Sequence, residues 1–255
     1  MRDLEWEKIE FFENGFVKFN IKDDVLIDAV NNDVDKLVLS NSYKTNSGIY
    51  SYNKYPRIVE SYKESENCKK LSLHNSIHKR LKYFYGIEPK AFSTINFLHS
   101  TQQPLHSDSV HFGTFPQRML VGAWVALEDI NPDAGPLQVV PGSHKLKLFD
   151  YADIGVDTPK NLKTVKSNYE LYELYVTKVI NENNLSPVIP AMKKGDCLLW
   201  EANLLHGSPS CIDSSITRKA QVTHWTFANV TKHFNPSFSN IKKNLYIERQ
   251  LTFIE

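Results

Sequence analysis

Met119-Leu120-Val121-Gly122-Ala123-Trp124-Val125-Ala126-Leu127 is the longest apolar run in the chain. It is far shorter than the ~20 residues a membrane-crossing helix needs, so no membrane partner is expected. Read as a strand, it places Gly122, Trp124 and Ala126 on one face and Met119, Val121, Val125 and Leu127 on the other. The small side chains beside the indole are expected to leave room for a small ligand, while the opposite face enters apolar packing.

Working outward, turn residues cluster at Asn131-Pro132-Asp133-Ala134-Gly135-Pro136, Pro141-Gly142-Ser143 and Lys194-Gly195-Asp196. They separate further strand-like runs at Ala91 to His99, Leu137 to Val140, Asp196 to Trp200 and Lys219 to Ala228. From Lys90 onward this is the texture of a sandwich or barrel. One interruption stands out, from Leu148 to Asn183. Its first part is polar and irregular, and Asn168 to Asn183 then carries Leu171, Tyr172, Tyr175, Val179 and Ile180 at helical spacing. An insertion of that size between strands, 148–183, is a candidate lid.

Residues 1–89 read mainly as a helical brace. Helices are expected at Glu5 to Glu13, with Trp6, Ile9 and Phe12 in phase, at Lys22 to Lys36, and at Leu71 to Tyr85 with Gly86 as its cap. Phe16 to Phe19 reads as a short strand and Asn41 to Pro56 as a loop. The whole chain, 1–255, is expected to be one elaborated domain, because barrels and sandwiches run to about 200–250 residues as single units.

Composition narrows the partners. The 255 residues include 30 Lys plus Arg against 29 Asp plus Glu, a net charge of +1. Nucleic-acid binders concentrate positive charge to displace counterions, so no nucleic-acid partner is expected. Cys68, Cys197 and Cys211 are odd in number and widely spaced, which suits reduced thiols. The acidic residues of the opening Met1-Arg2-Asp3-Leu4-Glu5 break any secretory core, and a cytoplasmic location is expected. The sequence has no Walker loop, no dinucleotide fingerprint, no nucleophile elbow and no internal repeat.

The chemistry centres on Gln102-Gln103-Pro104-Leu105-His106-Ser107-Asp108. In an extended segment, residues two apart project from the same face, so His106 and Asp108 can meet one metal ion. About half of chains of this composition contain a His-x-Asp by chance, so the pair needs company. It comes from His206, at the end of the apolar run after Gly195, and from Arg218 twelve residues later. Two imidazoles and one carboxylate form the facial triad of non-heme Fe(II) oxygenases, which leaves open positions for substrate and O₂. Arg218 offers a permanently charged fork for the far carboxylate of a dicarboxylic cosubstrate.

These residues resemble the phytanoyl-CoA dioxygenase family of Fe(II)- and 2-oxoglutarate-dependent oxygenases. The likeness is densest in Pro104 to Asp108, Gly122 to Ile130, Gly135 to Lys145, Gly195-Asp196, Leu205 to Ser208 and Arg218 to Ala220, in the family order. The resemblance implies a mainly β chain with flanking helices, a cupin-like double-stranded β-helix or jelly roll. It implies His106, Asp108 and His206 as ligands to Fe(II), Arg218 as partner of 2-oxoglutarate, and Trp124 and Ser208 as cosubstrate-pocket residues. The implied reaction hydroxylates an aliphatic carbon of a small organic substrate while 2-oxoglutarate and O₂ yield succinate and CO₂. Asp108 is retained where related halogenases omit the carboxylate, which favours hydroxylation. The run Pro209-Ser210-Cys211-Ile212 departs from the family's commoner Gly-x-Asn after Ser208.

Blander readings stand beside these. Trp124 is as much a core residue as a pocket residue, and Arg218 has an alternative as a surface ion-pair partner. His111 is either a substrate contact or local packing. His144 is expected to be structural, His224 a satisfied interior imidazole, and Glu128-Asp129 a solvated loop edge. His74, His78, His99 and His233 have no partner readable from sequence, while Asn96 and Gln103 are candidates to reach the cosubstrate. From other classes come a non-catalytic ligand-binding jelly roll and a zinc hydrolase.

Overall fold

The computed structural model describes residues 4–42, 44–45, 57–156 and 162–255. Its elements are α1 (Leu4–Asn14), β1 (Phe16–Asn20), α2 (Asp24–Leu39), β2 (Lys44–Thr45), β3 (Arg57–Val59), α3 (Glu66–Ser72), α4 (Asn75–Tyr85) and β4 (Pro89–Phe97). There follow β5 (Gly113–Phe115), β6 (Leu120–Ala126), β7 (Gln138–Val139), α5 (Leu162–Glu182), β8 (Asp196–Glu201), β9 (His206–Gly207), β10 (Ala220–Phe227) and β11 (Lys232–Phe234).

A seven-stranded antiparallel sheet, ordered β1-β8-β6-β10-β4-β3-β2, forms the main wall. Short pairs β7-β9 and β11-β5 supply the facing layer of the jelly roll. Alternation along β6 divides two cores as expected. Val121, Ala123, Val125 and Leu127 pack outward against Phe11, Ile27, Val34, Ile77, Leu81 and Phe84 of the helices. Trp124 and Ala126 face inward with Leu198, Trp200 and Val222. The N-terminal region is more than a brace, because β1 pairs with β8 and β3 with β4.

Local chemistry sets the helix limits. Asp23 caps α2 by accepting the Leu26 N–H at 3.0 Å, which starts the helix after Lys22 and not at it. The expected Leu71–Tyr85 helix is two helices. Ser65 caps α3 at Cys68 N, and His74 Nδ1 accepts the Ser76 N–H to open α4, so the chain breaks between them. In α1 the in-phase Trp6, Ile9 and Phe12 lie on the more exposed side, while Glu7 and Phe11 are buried. The reason is Arg80, whose Nε and Nη2 hold the Glu7 carboxylate at 2.7 and 3.0 Å while its guanidinium stacks on Phe19. The expected Asn41–Pro56 loop lies mostly outside the described residues, as do residues 157–161 of the insertion.

The rest of that insertion is docked. α5 begins earlier than its expected start at Asn168. Tyr169, Tyr172 and Val176 form a buried cluster with Phe149, Tyr151, Val110, Val140 and Leu205. Leu171, counted in the helical pattern, is exposed. Among the described residues no helix is long and apolar enough to cross a membrane, and all three cysteines are free thiols.

Candidate metal centre and cavity

His106 and His206 come from distant segments that meet as an antiparallel bridge. Each backbone N–H donates to the other's carbonyl at 2.9 Å, which holds the two imidazoles side by side with centroids 4.5 Å apart. Gly207 permits the approach, since a Cβ there would lie 2.7 Å from Gln103 O and 2.9 Å from Pro104 O. Ser107 between His106 and Asp108 is extended, with φ −108° and ψ 138°, so Asp108 projects to the same side as His106.

The ligand atoms of His106, Asp108 and His206 lie within 4.8 Å of one another, and all three residues are buried. Both rings are oriented by their other nitrogen. His106 Nδ1 lies 2.9 Å from Pro104 O, and His206 Nδ1 lies 2.9 Å from Leu204 O, which leaves Nε2 for the centre. His206 Nε2 is 3.6 Å from Asp108 Oδ1. Burial, reinforced by the neighbouring His206, pushes His106 well below the ordinary imidazole range. A neutral ring is the form that binds metal. Burial alone would raise Asp108, but His206, His224 and His106 outweigh it and hold the carboxyl far below its usual value.

Two groups that sequence reasoning did not assign to the site hold the carboxylate's outer oxygen. Trp200 Nε1 donates to Asp108 Oδ2 at 2.9 Å, and His224 Nε2 stands 3.6 Å from the same atom. The expected satisfied imidazole at His224 is therefore only half correct, because its buried Nδ1 has no hydrogen-bond partner among the described residues. Gly122 also needs correction. It faces inward as expected, but a Cβ there would lie 2.3 Å from the Trp200 ring, so the space is filled by indole and not by ligand.

A cavity of about 200 Å³ opens on the centre, several times the ~30 Å³ a water occupies in the liquid, and so admits an organic molecule. Trp124, Ser208 and Arg218 all line it, together with Arg57, Gln103, His111 and Arg249. Trp124 is both core and wall. Arg218 is not at the surface. It is 2% exposed, sits over Phe97 and Trp124, and its buried Nε has no hydrogen-bond partner among the described residues. Burial pulls its guanidinium down to about 10, with Cys211 opposing and Arg57 adding to the drop. It stays charged at neutral pH.

Asn96 does not reach the cavity. It sits on the opposite face of β4, accepting from Ser61 and donating to Gln221 at 3.2 Å. Gln103 does line the cavity, between Arg57 and the Tyr169 hydroxyl. His111 lines it too and stacks on Tyr169 at 5.4 Å. Burial takes His111 down to about 3, with Asp108 opposing and Arg57 and Arg249 adding to the fall. His144 is structural, bound to Phe12 O at 3.0 Å. The histidines without a readable partner acquire them by folding. His78 meets Glu88 at 2.7 Å, His74 meets Ser76, His99 meets Ile216 O and His233 meets Thr226. Glu128 is more than a loop edge, since it accepts the Lys219 N–H at 2.7 Å.

The sequence profile of the phytanoyl-CoA dioxygenase (PhyH) family matches residues 13–220. The human peroxisomal phytanoyl-CoA dioxygenase is 32% identical over 152 residues, 57% of this chain and 40% of that protein. The chain thus matches less than half the length of that relative. The epimerase SnoN in complex with Fe3+, alpha ketoglutarate and nogalamycin RO has a TM-score of 0.65 at 17% identity, over 91% of this chain and 85% of that one. EctD from S. alaskensis with 2-oxoglutarate and 5-hydroxyectoine has a TM-score of 0.65 at 18% identity, over 89% and 78%. At these identities the two structures share the fold with this chain.

Proposed function

Because the chain belongs to the phytanoyl-CoA dioxygenase family, we propose that it is an Fe(II)- and 2-oxoglutarate-dependent oxygenase that hydroxylates an aliphatic carbon of a small organic substrate. The observation that carries this reading is the convergence of His106, Asp108 and His206 in the wall of a cavity that a buried guanidinium also lines. The donor set fits Fe(II). Two neutral imidazoles and one carboxylate leave open positions, and each ligand is already turned by a hydrogen bond on its far side.

His106, Asp108 and His206 hold the metal, and Arg218 takes the distal carboxylate of 2-oxoglutarate, with Trp124 and Ser208 beside it. The unpartnered Nε of Arg218 supports this assignment, because a buried donor without an acceptor costs about 1–3 kcal/mol that a bound carboxylate removes. Bound there, iron and 2-oxoglutarate supply the activation of O₂, coupled to decarboxylation to succinate and CO₂. The chain's own residues bind, orient and exclude water. Trp200 and His224 keep Asp108 Oδ2 engaged, so Oδ1 faces the centre. α5 seals one side, with the Tyr172 hydroxyl accepting the Ser107 N–H at 2.7 Å directly between two ligands. A reducing compartment such as the cytoplasm suits the three unpaired thiols.

The test supplies Fe(II), 2-oxoglutarate and O₂ and measures succinate by mass spectrometry. Succinate is expected from the wild type and is lost in His206→Ala. Cosubstrate binding without any succinate would instead make the chain a binding module, and zinc-dependent turnover without O₂ would make it a hydrolase.

A further inference from the structure

Two hollows meet at Phe112. One is the cavity on the metal centre. Beside it lies a smaller one of about 30 Å³, against the ~10–15 Å³ that a single water needs. Its walls include Leu120, Leu148, Phe149, Ala202, Phe234 and Ile241. Phe112 alone among the described residues lines both hollows.

The small hollow is apolar in character because the polar groups that border it are engaged elsewhere. Thr114 Oγ1 donates to Pro116 O at 2.7 Å. Arg118 donates through its two Nη groups to His144 O and Leu146 O. Ser109 and the exposed Gln117 complete the border. A hollow walled by hydrocarbon offers water few hydrogen bonds, so it stays dry and takes an apolar guest. Gly113 lets Phe234 close it, since a Cβ at that position would lie 2.2 Å from the Phe234 ring.

Phe112 is held firmly between the two. Its N–H donates to Asp108 O at 3.0 Å, which sets its place relative to the metal centre. Its ring packs on Phe92 and His224, with centroids 5.5 and 5.2 Å away, and lies under the Arg249 guanidinium at 4.2 Å. Turning the ring aside would break all three contacts. Arg218 rests on other rings, Phe97 and Trp124, so the cosubstrate's wall and the Phe112 wall are separate.

We infer that Phe112 sets the length of the aliphatic chain accepted as substrate, and that the hollow behind it is a latent alkyl pocket that a smaller side chain at 112 would join to the main cavity. The inference rests on the oxygenase reading and narrows its substrate class to compounds whose alkyl part ends against the Phe112 ring.

Two measurements test it. Crystals of the wild-type chain under xenon should hold a xenon atom between Phe112 and Phe149. An ordered water there, or nothing, overturns the inference. Anaerobic calorimetry on the Fe(II)·2-oxoglutarate protein with 1-butanol, 1-hexanol and 1-octanol reads chain length. In the wild type the gain in affinity should stop at one step of the series, where the chain meets the ring. In Phe112→Ala it should resume at about fourfold per methylene, ~0.8 kcal/mol, or roughly 15-fold for the next two carbons. Phe112→Leu should lie between, and the melting temperature checks that each variant folds; the leucine, closer in volume, carries the comparison if the alanine does not fold. Affinity that climbs unbroken in the wild type, the same break in a folded variant, or no binding of any alkanol overturns the inference. Failure of the wild type to bind 2-oxoglutarate overturns the oxygenase reading instead. The xenon experiment needs neither metal nor cosubstrate, so the two failures are distinct.

Discussion

Replacing Trp200 by phenylalanine removes one N–H from the carboxylate ligand and leaves an aromatic ring in the strand. The lost contact is the 2.9 Å bond from Nε1 to Asp108 Oδ2, made where Asp108 is 6% exposed. A hydrogen bond to a buried charge contributes about 1.5–3 kcal/mol. Removing the outer partner of a metal ligand costs roughly 10–100-fold in metal affinity. At ~1.4 kcal/mol per tenfold, the two scales coincide. The smaller ring also loosens the inner core, but that penalty falls on the empty and the loaded protein alike. It lowers the melting temperature and cancels from the metal dissociation constant. Leu198→Ala separates the two effects, because Leu198 belongs to the same cluster and does not touch the carboxylate. Anaerobic titration with Fe(II), or with Co(II) followed by its absorbance, should show Trp200→Phe weakened by one to two decades and Leu198→Ala unchanged. Equal affinities for Trp200→Phe and wild type would mean that Asp108 is oriented without the indole, and the positioning role would be refuted.

Arg218→Gln should weaken 2-oxoglutarate about 10–100-fold through loss of a charged pair, measured as its dissociation constant, with Arg218→Lys intermediate because charge survives and the fork does not. Tyr172→Phe strands the buried Ser107 N–H and should cost about 1–3 kcal/mol in urea unfolding. Amide exchange at Ser107 should quicken with it. Burial lifts Glu201 to about 7 against the pull of Arg118 and Asn203, above the ~4.3 of an unfolded chain, so folding favours the protonated acid. That stabilisation is complete below pH ~4 and is lost as pH rises through the folded value, a fall of about 3 kcal/mol that should flatten in Glu201→Gln when unfolding is followed from pH 5 to 8.

The parts of the fold and site that are legible in sequence are those carried by short-range periodicity or by a motif. Two-residue alternation sorts the β6 side chains onto their two faces, and the His-x-Asp spacing puts both groups on one side because Ser107 is extended. Arg218 stands out by its rarity and its distance from His206. Features that depend on pairing between distant segments leave no such local trace. Arg249 belongs to a C-terminal stretch without a periodic pattern, and only its placement against Phe112 and His111 brings it to the cavity. The outward turn of Trp6, Ile9 and Phe12 depends likewise on Arg80, which allows Glu7 to occupy the inner face.

Gly122 locates the boundary within a single residue. Alternation puts it on the cavity face, and a missing side chain there means that something else fills the space. Whether that something is a ligand or another part of the chain depends on which residue of β8 lies opposite. The register pairs Gly122 with Trp200, and the indole enters the gap and reaches across to Asp108. A glycine expected to admit a small molecule instead admits the group that steadies the Asp108 carboxylate. Gly122→Ala should therefore displace the Trp200 ring, because the new methyl would lie 2.3 Å from it. The variant should lose metal affinity in the same direction as Trp200→Phe, although Gly122 is not itself among the proposed metal and cosubstrate residues. Combined in one chain, the two changes should weaken metal binding by less than their separate effects sum to, since both act through the same hydrogen bond. Strict additivity in that double-mutant cycle would place the effect of Gly122 elsewhere.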